Sequence, residues 1–200
     1  MKEIAIIGAG GNTKVVIDLI QQLKIYNIVG IYDDYKSGMF CGIKILDSTN
    51  NINKNIENFV ISIGNNKVRE EIYNKNKDLN YISIIHPSAI ISNNAIIGKG
   101  SIINAGAVIQ TEAIIGNHCI INTNCNIDHE SIIHDFSDIC PGVTICGNVT
   151  INKLCFIGAN STIIQNLNIG SNSIVGAGTV VIKNIENNSK IVGNPSRNIY

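Results

Sequence analysis

Residues 83 to 184 divide into seventeen consecutive six-residue blocks with no insertion, from SIIHPS, AIISNN and AIIGKG through to SIVGAG and TVVIKN. The third position is Ile in fifteen blocks and Val in two. The first position is almost always small, and the fourth is Gly, Asn or Asp in nine blocks. Those are the residues that best tolerate a positive φ. A small inward residue, an inward aliphatic and then a corner make a short strand and a turn. One block cannot bury its apolar face alone, so neighbouring blocks must stack. If three blocks close one triangular coil, residue n lies over residue n+18 and a column of Ile fills the prism. The expected architecture is a parallel β-helix.

The second position of each block points outward. It is apolar in the seven blocks from Ile84 to Ile120, then mostly polar from Asn126 onward, with Asp138, Thr144, Thr150, Thr162 and Asn168. A sharp apolar edge of this kind implies cover by a partner subunit or by another domain. The repeat also carries only eight Asp, Glu, Lys or Arg residues, four of them (Asp128, Glu130, Asp135, Asp138) within residues 128–138 beside His129 and His134. That cluster interrupts an otherwise monotonous apolar pattern.

The first eighty residues follow different rules. KEIAIIGAGG reads as a buried strand entering a glycine turn, and NTKVVIDLIQQLK as a helix with Asn12 as its N-cap. NIVGIYDD is a second strand ending in two acids. NFVISIGNNKVREEIYNK is a further strand, turn and helix. Strands alternating with helices indicate a parallel α/β unit. Its length suits half of a Rossmann-like fold and one mononucleotide. The ligand is expected at the strand C-terminal ends, near Gly8, Gly10, Gly11 and Asn12, near Asp33 and Asp34, and near Gly64, Asn65 and Arg69. The GxGxxG pattern is only partly met, because its sixth position is Thr13. The boundary is expected near Asp78–Tyr81, giving a nucleotide-sugar-binding unit over 1–80 and a β-helix with a C-terminal tail over 81–200.

Formal net charge is zero, so no basic field points to nucleic acid or to an anionic membrane surface. No apolar run approaches the roughly 20 residues that span a bilayer. The polar start MKEIAIIGAGG is unlike a signal peptide, and six cysteines without a CxxC pair suit reduced thiols. A cytoplasmic location is expected. Ile and Asn, at 44 and 30 residues, are so abundant that single occurrences carry little functional signal.

GAGG, YDD and IGNNKVR lead through IIHPSAII into hexapeptide blocks that contain IDHE and end in VGNPSR. This ordered set, spanning nearly the whole chain, resembles the nucleotide-sugar acetyltransferases that acetylate a 4-amino group on UDP- or GDP-linked deoxysugars, a family with sialic acid O-acetyltransferase relatives. The resemblance implies a left-handed β-helix, a homotrimer and acetyl-CoA lying between adjacent β-helices, with no metal. His129 would be the general base and Glu130 its orienting carboxylate. Asn122 would face the sugar from the neighbouring subunit. Asp138, Gly147, Ala159, Ala177, Pro195 and Arg197 would line the CoA path, with Asp138 standing where relatives often carry a second histidine. Asn12 replaces a histidine found in some relatives. The outward Ile96, Ile102 and Ile114 would mark the trimer interface. Cys119, Cys125 and Cys155, in the small inward position, read as buried packing. His86 belongs to the HPSA turn and His118 to a surface corner. Three other activities fit parts of the pattern: sugar O-acetylation, a non-catalytic sugar-nucleotide binder, and a γ-carbonic-anhydrase-like zinc hydratase. The last uses the His-x4-His spacing of His129 and His134 but meets Asn93 where a further ligand is needed.

Overall fold

The computed structural model describes residues 1–199. Strand β1 (Lys2–Ile7), helix α1 (Gly11–Leu23), β2 (Tyr26–Tyr32), β3 (Met39–Phe40), β4 (Ile43–Asp47), β5 (Asn58–Ile61) and helix α2 (Asn66–Lys75) form the front unit. Its sheet order is β3-β4-β2-β1-β5. β4, β2, β1 and β5 run parallel, whereas β3 pairs antiparallel with β4. The sheet is therefore mixed, and the expectation of a purely parallel unit is corrected. The hairpin arises at Cys41 and Gly42, both with positive φ, in a segment too short to show an alternating pattern.

Seventeen two-residue strands follow, from Ile84–Ile85 to Val180–Val181. Through Thr162–Ile163 each pairs in parallel with the strand eighteen residues on, as in Ile103 with Ile121 and Ile121 with Ile139, and in the last coil the step shortens to sixteen, as in Ile174 with Lys190. Three sheets result. The first face runs from Ile84–Ile85, the second from Ile90–Ile91 and the third from Ile96–Ile97. The inward aliphatics from Ile103 to Val181 form one continuous buried column with Cys119, Cys125 and Cys155. Burying each such side chain contributes about 1.5–3 kcal/mol. The tail closes the first face with Lys190–Val192 and Arg197–Asn198.

Helix α1 explains much of the apolar edge. Its buried Val16, Ile17, Leu19 and Ile20 pack with Ile4 and Ile6 of β1 and with Ile84, Ile102 and Ile120 of the β-helix. Those three outward isoleucines all lie on the first face, which the front unit covers. Ile102 is fully buried, so its assignment to a subunit interface is corrected: its cover comes from within the chain. Ile90, Ile96 and Ile114 remain exposed.

Helix α2 fastens the two parts. Arg69 is fully buried. Its Nε donates to His118 O at 2.8 Å, and its Nη groups donate to Phe136 O at 2.9 Å, Ile63 O at 2.6 Å and Asn66 Oδ1 at 3.0 Å. Asn66 in turn donates to Cys155 O at 2.8 Å. Beside this clasp, His118 stacks on Phe136, its n+18 neighbour, with an interplanar angle of 2°. Tyr73 and Tyr81 close over the other sides. His118 does occupy a corner, with φ 53°, but the front unit buries it to 1 % exposure. The surface expectation is corrected because a neighbouring aromatic pair cannot be seen in the repeat itself.

Burial, reinforced by the Arg69 charge, lowers the His118 pKa to about 4. The unfolded value is about 6.5, so the unfolded chain binds an extra proton between the two. Stability from this group is full above about pH 6.5 and is lost as pH falls toward 4. His118→Phe removes that dependence. Relative to wild type, the variant is expected to gain on the order of 2 kcal/mol between pH 7.5 and 4.5 in urea unfolding. A stability gap that stays constant across that range would contradict the buried neutral imidazole.

Candidate active site

The C-terminal ends of β1, β2 and β5 open onto a cavity of about 450 Å³ lined by Gly8, Ala9, Gly10, Gly11, Asn12, Asp33, Asp34, Lys36 and Gly64, among others. Gly8 has φ +104°, and a Cβ there would stand 2.5 Å from Ile63 Cγ1; only glycine lets the chain leave β1 this close to β5. Asp33 braces the floor, accepting from Ala9 N at 2.7 Å and Lys36 N at 2.9 Å. Asp34 accepts from Thr49 N at 2.7 Å and Thr49 Oγ1 at 2.9 Å.

Asn12 is not the N-cap of α1, as its residue type suggested. Gly10 takes that place, because Thr13 Oγ1 reaches back to accept from Gly10 N at 3.0 Å. The helix starts two residues earlier than an Asn12 cap would have it, and Asn12 lines the cavity. Its Nδ2 is buried without a hydrogen-bond partner. An orphaned buried donor at the edge of a cavity marks a place for an acceptor from a ligand. Lys36 was not singled out in the sequence, though it lies two residues after Asp34. It donates to Ala9 O at 2.6 Å and sits 4.8 Å from the Phe40 ring centroid, placing a cation at the cavity edge.

Two expected residues of this site fall elsewhere. Arg69 is consumed by the interdomain clasp and cannot meet a ligand; its spacing after Gly64 is that of a helix side chain, but it lies on the face turned toward the β-helix. Asn65 is exposed and caps α2, accepting from Val68 N at 3.1 Å. It lines a separate groove with Phe156 and Ile174.

The Asp-His-Glu cluster forms the corner between the second and third faces. His129 Nδ1 lies 3.0 Å from Glu130 Oε2, and both side chains are about half exposed. Asp128 Oδ1 accepts from His129 N at 2.8 Å, and Glu130 holds φ 59°. These bonds fix the corner while leaving Nε2 without a hydrogen bond among the described residues. His134 and Asp135 lie instead on the next corner, with Asn152 and Lys153. Among the described residues no group of three His, Cys, Asp or Glu side chains could hold a metal.

At the opposite end of the second face, Asn104 Nδ2 donates to Asn122 Oδ1 at 3.2 Å and Asn122 Nδ2 approaches Asp138 Oδ1 at 3.5 Å. Asp138 is almost enclosed on the first face. Burial raises its pKa to about 6 against the pull of Arg69 and Asn122, so at neutral pH it is largely ionised and accepts rather than donates. Ala159 and Ala177 stack on this same corner, where Gly178 N donates to Ala159 O at 2.8 Å. Pro195 and Arg197 are exposed on the tail. Gly147 instead lies directly beyond His129, one coil on. Within one chain the expected residues therefore form three separate groups: the cavity, the His129 corner, and the Asn122 corner.

A hexapeptide β-helix carrying an exposed His–Glu corner, behind an α/β unit with a nucleotide-sized cavity, defines an acyltransferase layout. Residues 3–76 match the family model described as PglD N-terminal domain. The acetyltransferase domain of PglB from Neisseria gonorrhoeae FA1090 is 32% identical, covers 100% of both chains and superposes with a TM-score of 0.94. That domain has also been solved with acetyl coenzyme A. A single-histidine mutant of perosamine N-acetyltransferase from Caulobacter crescentus, in complex with CoA and GDP-perosamine, is 26% identical, with a TM-score of 0.95 over 100% of this chain and 98% of that one. UDP-N-acetylbacillosamine N-acetyltransferase of Bacillus subtilis is 36% identical over 109 residues; the match spans half the length of that curated relative and half of this chain. The chain belongs to the hexapeptide-repeat nucleotide-sugar acetyltransferase family. Among the described residues no helix is long and apolar enough to cross a membrane.

The orphaned amide of Asn12 yields a direct test. Removing one hydrogen bond from a buried partner costs about 1–2 kcal/mol, roughly a tenfold change in affinity. In calorimetric titrations with UDP, GDP and dTDP, Asn12→Ala is expected to weaken the best-bound nucleotide by about that factor. Unchanged affinity for all three would remove Asn12 from the site.

Proposed function

We propose that this chain transfers the acetyl group of acetyl-CoA to the 4-amino group of a nucleotide-linked 4-amino-4,6-dideoxy sugar, with UDP as the preferred nucleotide. The observation that carries the reading is the His129–Glu130 pair at 3.0 Å, solvent-accessible on an otherwise apolar scaffold. The named activities of the relatives support it. Residues 1–80 hold the nucleotide, and residues 81–200 carry the transfer chemistry.

With Nδ1–H donated to Glu130, Nε2 of His129 carries a lone pair and serves as general base. The sugar nitrogen attacks the thioester carbonyl carbon, forming a C–N bond. His129 takes the proton that the nitrogen must shed. The tetrahedral intermediate then collapses, the C–S bond breaks, and the CoA sulfur leaves, accepting a proton in turn. The carboxylate of Glu130 orients the ring and stabilises the imidazolium between the two steps. Direct transfer is favoured over an acyl-cysteine. Burial pushes the thiols of Cys119, Cys125 and Cys140 up to about 12 and that of Cys155 to about 11, far from the thiolate a nucleophile needs.

The separation of the His129 corner from the Asn122 corner supports a site assembled from two chains. One chain would offer His129 and Gly147, its neighbour Asn122, Ala159 and Ala177, with Pro195 and Arg197 toward the outer end of CoA. Exposed Ile90, Ile96 and Ile114 supply apolar surface for the trimer this requires. Sedimentation at micromolar concentration is expected to give a trimer; an active monomer would exclude a shared site.

Free-thiol release with UDP-, GDP- and dTDP-linked 4-amino sugars is the direct assay. General base catalysis contributes about 10²–10⁴-fold, so His129→Ala is expected to lower kcat by about that much while both substrates still bind. Glu130→Gln, which keeps the shape and removes the charge, is expected to cost less. Near-normal kcat in His129→Ala, with activity abolished in Cys125→Ser or Cys140→Ser, would replace this mechanism with an acyl-enzyme.

A further inference from the structure

Gly147 lies one coil beyond His129, at n+18, and its backbone has no freedom to retreat. Asn148 N donates to His129 O at 2.9 Å, and Asn166 N donates to Gly147 O at 3.1 Å. Its φ is not among the positive values that demand glycine at Gly100, Gly106, Gly142 and Gly178. Nor does it resemble Gly98, Gly116, Gly158 and Gly170, whose missing Cβ leaves room chiefly for backbone of the next coil. The space a Cβ would fill at Gly147 is taken by the His129 ring. Such an atom would stand 2.5 Å from Cε1, 2.6 Å from Nε2 and 3.1 Å from Nδ1.

We propose that Gly147 is a positioning residue: its bare backbone is the seat on which the His129 imidazole rests, and its lack of a side chain sets where Nε2 points. The proposal rests on the reading of His129 as the base. The ring is held from one side by Glu130 Oε2 and from the other by the flat surface of Gly147. Carbon atoms in contact stand about 3.5–4.0 Å apart. A methyl group at position 147 therefore moves the ring by roughly 1 Å. His129 is half exposed, so the ring swings outward and the β-helix itself stays intact. A displacement on the order of 1 Å at a reacting group can cost ~10²-fold in rate. Gly147 thus acts through His129, in addition to any contact its backbone makes with CoA.

A double-mutant cycle tests this, using wild type, Gly147→Ala, His129→Ala and the double variant, with acetyl-CoA and the best sugar nucleotide of the thiol-release screen. Gly147→Ala is expected to lower kcat at saturation by about 10²-fold, with an unchanged melting temperature and a sugar-nucleotide KM within about twofold of wild type. In the His129→Ala background the same change is expected to cost less than about twofold, because there is no ring left to displace. Equal losses in both backgrounds would overturn the proposal, as would an effect confined to the KM for acetyl-CoA, which would give Gly147 to the CoA path alone. Failure of Gly147→Ala to fold would overturn the proposal, because the ring would then not be free to swing outward. Wild-type kcat in His129→Ala would instead overturn the base assignment beneath the proposal. A slow His129→Ala beside a normal Gly147→Ala would overturn the seat and leave the base in place.

Discussion

The β-helix depends on the stacking of residue n on residue n+18, a step that shortens to sixteen only in the last coil. The inward Ile column supplies the burial, and the backbone ladder between coils supplies the hydrogen bonds, as between Ile121 and Ile139. Neither works without the other. An apolar column without the ladder would bury unsatisfied peptide groups, and a ladder without the column would enclose a void. Together they turn a linear repeat into a rigid rod whose corners have fixed addresses. His118 and Phe136 meet because they are eighteen apart, and so do Asn104 and Asn122, and His129 and Gly147. The chemistry of this chain is placed by counting.

How far such counting reaches is clear from particular residues. The β-helix was legible because its period is local and repeated, and the His129–Glu130 corner stood out as the one charged break in that period. The glycine turn after β1 was legible from the glycine run that follows an apolar strand. Residues whose surroundings come from another part of the chain were not. Ile102 looked like an interface residue and is covered by α1. His118 looked like a surface corner and lies under Tyr73 and Tyr81. Arg69 looked like a ligand contact and is spent on the carbonyls of His118 and Phe136. Each error has the same origin: a local pattern shows which way a side chain points, but not what arrives to cover it. The β3–β4 hairpin escaped because strands this short leave no pattern, and Asn12 misled because Thr13, one residue further, captured the cap.

Electrostatics on the rod follow from the same geometry. Apart from the cluster at 128–138, the scaffold holds few charges, so each one there acts against a weak background. The half-exposed His129 keeps a carboxylate neighbour, whereas Asp138, enclosed beneath the front unit, is pushed toward protonation and faces Arg69. Two acids within nine residues thus have different roles. Glu130 is half exposed beside the His129 ring, and Asp138 ends a part-buried row with Asn104 and Asn122.

The Arg69 clasp has a consequence for the spacing of the two parts of the chain. One enclosed guanidinium, beside four aromatic rings, donates to two carbonyls of the rod and is itself held by Ile63 and Asn66 of the front unit, so it fastens that unit to the side of the rod. Any swing of the front unit on the rod would have to break these bonds. The span from the front unit's cavity to the corners of the rod is then set by the fold. Within one chain the cavity and the corners of the rod keep their spacing, as the jaws of a locked caliper do.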